Sequence, residues 1–442
     1  MTRWLYTVLL RLLSPALLAW MGLRARRAGG RWDVLGAERF GVYPASAPPR
    51  AGAVWVHAVS LGETRAAHPL IRALLAQGHR VLLTHLTASG RAEGRRAYAD
   101  EISRGLVRQV WLPYDFPGAV RRFLRHEQPV VGVLIERELW PNLVRGARRA
   151  GVPLVLASAR LSPASLQGNL RLGGLMRQTY AGLTRVYAQT PADARRLQRL
   201  GAPQVSVSGN FKFDLPLDAH RISLGREFAV RLGRPVVAIA STREGEDDAF
   251  IRAVQHRLAA ASPARLPGPP VLFLLIPRHP QRFEQAAAQL AAAGLPYVRR
   301  SQLLALGDGG SSALAACRGM AVLLGDTLGE MPWYYACSQV AIVGGSFAHL
   351  GGQNFIEASA LGRPVIVGPH VANFQQAVAD ALDAGALVQA RDADQAVRQA
   401  LDWLDDPAAL SRVGEAGRHW VGRHQGAVVR VLDGIQALLR KD

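Results

Sequence analysis

Short apolar runs alternate with stretches of helical period from Ala53 to about Ala188. Ala53–Val59, Arg80–Leu86, Val107–Leu112, Val130–Ile135, Val152–Ala157 and Arg185–Ala188 read as strands. Between them Glu63–Leu75, Ser89–Tyr98, Gly118–Leu124 and Leu139–Arg149 carry apolar residues at three- and four-residue spacing, as helices do. The alternation restarts after Asp214–Asp218, with strands expected at Pro235–Ile239, Val271–Ile276, Met320–Leu324, Gln339–Val343 and Pro364–Val367. Such a pattern predicts a parallel, doubly wound α/β sheet in each half, with ligands at the carboxyl ends of the strands. Residues 31–50 are polar and rich in Pro and Gly, and read as a connection. Ser262–Pro270 and Ala305–Ser312 read as loops, and Ala408–Leu439 as helices.

Trp4–Leu23 differs from all of this. It is mostly apolar, with Arg11 and Pro15 inside it, and Arg24, Arg26 and Arg27 follow at once. An arginine near the middle opposes a simple span. No small-residue cleavage site follows, so the segment is expected to stay on the chain, inserted in or lying on a membrane. Trp4 and Trp20 would sit at interface depth, with the arginines toward the cytoplasmic leaflet.

The chain has 442 residues, 53 Lys+Arg against 33 Asp+Glu, and a formal charge of +20. That balance favours anionic partners. The basic residues are scattered rather than gathered into an arm, which counts against nucleic acid. Two cysteines, Cys317 and Cys337, imply no disulfide framework, and no zinc spacing is present. Lysine occurs only at Lys212 and Lys441, every other basic residue being arginine. An interior lysine amid that drift suggests a site wanting a compact ammonium.

Val343–Glu357, VGGSFAHLGGQNFIE, is an apolar strand, a glycine-rich loop and a helix start near Asn354. Such a turn can offer unpaired backbone N–H groups to a phosphate, although it matches neither the dinucleotide nor the P-loop fingerprint. In the first half, Glu63 follows the first strand in HAVSLGE, and Glu136 and Glu138 leave a later strand in ERELWP. Carboxylates from two strand ends of one sheet can serve as base and electrostatic partner.

HAVSLGE, LPYDFP (Leu112–Pro117), ERELWPNL (Glu136–Leu143), ASARLS (Ala157–Ser162), SGNFKFD (Ser208–Asp214), IPRHPQRF (Ile276–Phe283), GDTLGE (Gly325–Glu330) and the glycine-rich loop occur in order. Together they resemble the 3-deoxy-D-manno-oct-2-ulosonic acid (Kdo) transferases of lipid A assembly, glycosyltransferase family 30. The resemblance implies a GT-B fold, α/β, with two Rossmann-like domains facing a cleft. It places a membrane-associated segment at 1–30, an acceptor domain at 31–215, a CMP-sugar domain at 216–425 and a terminal helix at 426–442. It implies CMP-Kdo as donor, a lipid A precursor as acceptor, no metal or other cofactor, and the cytoplasmic face of the inner membrane. Carried over residue by residue, the catalytic set is Glu63 as base with Glu136 and Lys212 in support. The donor contacts are Pro277, Arg278, Leu328, Gly329, Glu330, Asn354, Phe355, Ile356 and Glu357. Two family histidines are replaced, by Gln353 and Arg243, and neither replacement can titrate near neutral pH. The other reading left open is a GT-B protein using a different nucleotide sugar, such as a UDP-sugar.

Overall fold

The computed structural model describes residues 1–28, 32–44, 51–214, 216–260, 270–307 and 310–440. The loop expected at Ser262–Pro270 falls outside these, but for its last residue. The chain divides into two compact units, one of Met1–Leu215 with His424–Asp442, the other of Pro216–Arg423.

The first unit is built on seven parallel strands: β1 (Val54–His57), β2 (Val81–His85), β3 (Val107–Trp111), β4 (Val131–Ile135), β5 (Leu154–Ala159), β6 (Arg185–Ala188) and β7 (Val205–Val207). Their order is β3-β2-β1-β4-β5-β6-β7. The inner strands β1, β4 and β5 are buried throughout, because helices cover both faces of a parallel sheet, and they read as unbroken apolar runs for that reason. Trp55 on β1 anchors one face. It meets Phe123 edge-on at 5.2 Å and donates from its indole to Thr84 Oγ1 at 2.8 Å. The winding reverses between β1 and β4, so the loops leaving these neighbours part and open a crevice at the carboxyl edge.

The second unit repeats the plan with β8 (Val236–Thr242), β9 (Leu272–Pro277), β10 (Tyr297–Arg299), β11 (Val322–Leu324), β12 (Val340–Val343), β13 (Val365–Val367) and β14 (Leu387–Gln389). The order is β10-β11-β9-β8-β12-β13-β14, again all parallel, with the reversal between β8 and β12. Cys317 and Cys337 are buried free thiols.

The structure adds three strands to the sequence reading: β7, β10 and β14. Each is three residues long and lies at a sheet edge. An edge strand is covered on fewer sides, so it needs no apolar run and leaves no such signal. A short helix at Ser311–Cys317 likewise occupies part of the expected loop.

The stretch 31–50 is more than a connection. It holds a 3-10 turn at Ala37–Phe40 whose Arg39 is fully buried. The guanidinium lies 4.0 Å from the Trp111 ring centre and donates to Trp32 and Leu86 carbonyls, both at 3.0 Å. Burial pushes its pKa down to about 10. The helix Ala427–Leu439 also belongs to the first unit. Val431 and Ile435 share a core with Val54 and Leu70. Asp214 accepts from Gly426 and Val428 N–H at 2.7 and 2.6 Å, which caps that helix from a distant part of the chain.

The N-terminal helix, Arg3–Ala28, docks on the first unit by its first two turns. Tyr6 donates to Asp115 at 3.0 Å and Thr7 to Asn142 at 3.2 Å. Asp115 also accepts from Asn142 and Leu143 N–H, at the start of the helix Pro141–Arg149. Beyond these turns most of the apolar side chains are exposed, Leu12 at 71% and Trp20 at 56%.

Gly132 in β4 marks how closely the first sheet is packed. A Cβ there would lie 2.5 Å from Leu154 and 2.7 Å from the Trp55 ring. Gly132→Ala is expected to cost about 1–3 kcal/mol, read as a lowered midpoint in urea denaturation.

Candidate functional site

The carboxyl edge of the first sheet gathers most of the predicted catalytic residues. Glu63 lies in the first turn of the helix Leu61–Ala76, in the loop region after β1. Its Oε2 accepts from Val59 and Ser60 N–H at 2.6 and 3.3 Å, while Ser60 Oγ accepts from Glu63 N–H. This is a reciprocal cap, and it holds the carboxylate by one oxygen. Among the described residues no hydrogen bond is made to Oε1. Burial, and then the charges of Glu136 and Glu138, push the Glu63 pKa up to about 7.

Glu136 follows β4, the strand beside β1. It is a buried non-glycine residue at φ 60°, a strained conformation for a side chain. Arg160, after β5, donates to its Oε2 at 2.8 Å. Ser158, at the irregularity in β5, is likewise strained at φ 50°. Burial raises the Glu138 pKa too. Lys212 sits in the 3-10 turn Phe211–Asp214, positioned by its N–H bond to Asn210 Oδ1 at 3.0 Å. Burial lowers its pKa, while the charges of Glu136 and Glu63 raise it and that of Arg160 opposes them.

Glu63, Glu136, Glu138 and Lys212 thus form one electrostatic group at the winding reversal. Arg160 is the member that sequence reasoning missed. Its signal was available: it follows the strand next to β4, so it leaves the same sheet edge. His57 and His85 are core residues, their pKa values pushed down by burial to about 3 and about 4.

In the second unit the first half of the glycine-rich loop is engaged within the protein. Glu246, after β8, accepts from Gly345 N–H at 2.6 Å, Phe347 N–H at 2.8 Å, Ala348 N–H at 3.2 Å and Arg243 N–H at 2.8 Å. Gly344 is needed because a Cβ would meet Glu246 and the Thr242 backbone at 2.9 and 2.8 Å. The carboxylate serves as the anion of the turn at Gly344 and Gly345. It comes from across the winding reversal, from a residue 99 positions earlier. The helix itself runs only from Ile356 to Ala360.

The proposed donor residues divide by what their side chains do. Arg278 follows β9 and donates from Nε to Gln353 Oε1 at 3.3 Å. Gln353 therefore orients the arginine. Asn354 donates to Glu357 at 3.0 Å and accepts from Ile356 N–H at 3.2 Å. Phe355 is buried against Trp420, ring centres 5.5 Å apart, and Ile356 is buried as well. These two have only backbone left to offer. Pro277 closes β9. Leu328 and Gly329 form an exposed turn, with Gly329 at φ 78°. Glu330 is engaged by buried Arg300 at 2.9 Å, by Arg221 at 3.2 Å and by Thr327. Its side chain is a structural hub, with Arg300 3.8 Å from the Trp333 ring centre. Among the described residues no group of three or more His, Cys, Asp or Glu is arranged to hold a metal ion.

The family model of 3-deoxy-D-manno-octulosonic-acid transferase (kdotransferase) matches residues 36–215. A 3-deoxy-D-manno-octulosonic acid transferase of Bordetella pertussis is 54% identical over 441 residues, 99% of each chain. One of Haemophilus influenzae is 30% identical over 450 residues, covering 100% of both. The chain belongs to the 3-deoxy-D-manno-octulosonic acid transferases. This Kdo transferase is a glycosyltransferase of GT-B fold. A solved glycosyltransferase from Rickettsia africae shares that fold, with TM-score 0.54 and 10% identity over 89% of this chain and 100% of that one.

The raised pKa of Glu63 has a consequence for stability. The folded Kdo transferase holds this proton more tightly than the unfolded chain does. Its contribution is therefore full below about pH 4.5 and is lost as pH rises through about 7. Glu63→Gln has no such loss. The variant is expected to melt higher relative to the parent at pH 8 than at pH 4.5, measured by differential scanning calorimetry. An equal difference at both pH values would show that the folded-state pKa is not raised.

Proposed function

We propose that this Kdo transferase moves Kdo from CMP-Kdo to a lipid A precursor, lipid IVA, with Glu63 as general base, at the cytoplasmic face of the inner membrane. The observation that carries the reading is the group at the β1/β4 reversal: Glu63 with one oxygen uncommitted and its pKa pushed up to about 7 by burial, beside Glu136 and Lys212. A pKa near 7 suits a base, since it accepts a proton in the transition state yet is substantially ionised at working pH. The acceptor hydroxyl oxygen attacks the anomeric carbon of Kdo, and the bond from that carbon to the CMP phosphate oxygen breaks. The bonding pair leaves with the phosphate, and the hydroxyl proton passes to Glu63 Oε1.

Lys212 offsets the charge that develops, and Arg160, bonded to Glu136 at 2.8 Å, holds that carboxylate in place beside it. In the second unit Arg278, held by Gln353, is the proposed phosphate partner. Asn354 and Glu357 carry the polar side chains of the loop, and Glu357 is suited to a ribose hydroxyl. Phe355, Ile356, Leu328, Gly329 and Glu330 contribute backbone. The Gly345, Phe347 and Ala348 N–H groups stay with Glu246, so the donor phosphate is assigned to Arg278 and the Asn354 region. The exposed apolar length of the N-terminal helix supports attachment to a membrane.

The test is incubation with CMP-Kdo, generated in situ, and detergent-dispersed lipid IVA, read by mass spectrometry. CMP should raise the melting temperature and UDP should not; the reverse would favour a UDP-sugar. Glu63→Gln should lower turnover by about 10²–10⁴-fold and abolish the acid limb of kcat/KM near pH 7, with CMP affinity by calorimetry little changed. A fall of less than roughly tenfold, below the usual range for a general base, would leave Glu63 as a helix cap and move the base to Glu136 or Glu138. Lys212→Arg should lower turnover by about tenfold or more in a folded protein, because a planar fork cannot replace a compact ammonium. Retained turnover would remove the ammonium role.

A further inference from the structure

Arginines ring the place where the N-terminal helix meets the first unit. Arg3 and Arg11 come from that helix, Arg121 and Arg125 from the helix Pro117–Glu127, and Arg145 and Arg149 from the helix Pro141–Arg149. The last two pairs are each one turn apart, so each presents both charges on one face. They line a groove of about 620 Å³, with Leu124, Asn142 and Gly146 among its other walls. A second cleft of about 380 Å³ continues past Arg3, Arg145 and Arg148 toward Thr179.

No carboxylate lines either space. The acid of the helix Pro117–Glu127 is buried and held by Arg108 at 3.0 Å, and the helix Pro141–Arg149 has no acid. Repulsion from Arg3, Arg149 and Arg148 lowers the Arg145 pKa. Six like charges around one groove, with no carboxylate in its lining and Asp115 buried behind Asn142, make a site for an anion.

The N-terminal helix identifies the anion's source. Between Arg11 and Arg24 it is mostly apolar all round, and Leu12, Leu17 and Trp20 are exposed. The stretch 12–23 rises about 18 Å at about 1.5 Å per residue. That is short of the roughly 30 Å hydrocarbon core. Arg11 at one end of this stretch and Arg24, Arg26 and Arg27 at the other hold both ends at headgroup level, so the helix lies along the near leaflet with its apolar side chains in it. We infer that the arginine groove binds the phosphate headgroup of an anionic phospholipid of the bilayer, beside the helix that lies in the same leaflet. The inference rests on membrane attachment as proposed above, but its readout does not require transfer activity.

The test is native mass spectrometry of the full chain in non-ionic detergent, titrated with phosphatidylglycerol or phosphatidylcholine. The parent should retain phosphatidylglycerol roughly tenfold better or more. The variant carrying Arg121→Gln, Arg125→Gln, Arg145→Gln and Arg149→Gln should lose that preference while keeping its melting temperature and its transfer rate on detergent-dispersed acceptor. Should that variant misfold, Arg121→Gln with Arg125→Gln alone should reduce the preference in part. An equal preference in parent and folded variant would overturn the inference. So would displacement of phosphatidylglycerol by inorganic phosphate at the same concentration, which would assign the groove to a free ion. A variant with a raised acceptor KM but unchanged phosphatidylglycerol retention would assign it to the acceptor.

Discussion

In each unit a buried or half-buried glutamate takes backbone N–H groups at the carboxyl edge of a parallel sheet, and the local architecture depends on that contact. Glu63 holds Val59 and Ser60; Glu246 holds Arg243, Gly345, Phe347 and Ala348. Loops that leave a doubly wound sheet carry N–H groups with no strand partner, and these need an acceptor when covered. A carboxylate supplies two oxygens of the right charge. Both glutamates lie beyond the first strand of their sheet, beside the winding reversal, where the loops part and such N–H groups collect.

The same contact has opposite chemical results in the two units. Glu246 gives both oxygens to N–H donors, and the donors define a rigid turn around Gly344 and Gly345. Glu63 gives only Oε2. Burial and the charges of Glu136 and Glu138 resist its ionisation. One glutamate is spent on holding a loop. The other keeps proton affinity near neutrality, which is the property a base requires. Strain follows the same edge, with Glu136 and Ser158 in the first unit and Ser241 in the second all at positive φ.

Arginine is used in this protein in two ways that composition alone does not separate. Arg39 and Arg300 are buried and lie over Trp111 and Trp333, where the delocalised guanidinium tolerates loss of water. The groove beside the N-terminal helix is the opposite case, with charges exposed and uncompensated. The high positive charge is thus partly structural and partly a field directed outward.

The sequence by itself determined the two parallel sheets, since buried strands must be apolar runs and helical stretches must lie between them. It also determined that Glu63, Glu136 and Lys212 belong together, because ordered motifs carried a family pattern over the full length. It could not show edge strands such as Tyr297–Arg299, whose partial exposure removes the apolar signature. Nor could it show that Arg39 is buried, because a charge reads as surface until an aromatic face covers it. Only the tertiary structure decided where the glycine-rich loop finds its anion. Gly345 and Glu246 lie 99 residues apart, and a hydrogen bond across a winding reversal leaves no periodicity in the chain. The raised proton affinity of Glu63 is of the same kind. It arises from burial and from two carboxylates on a neighbouring strand's loop, and local sequence carries neither.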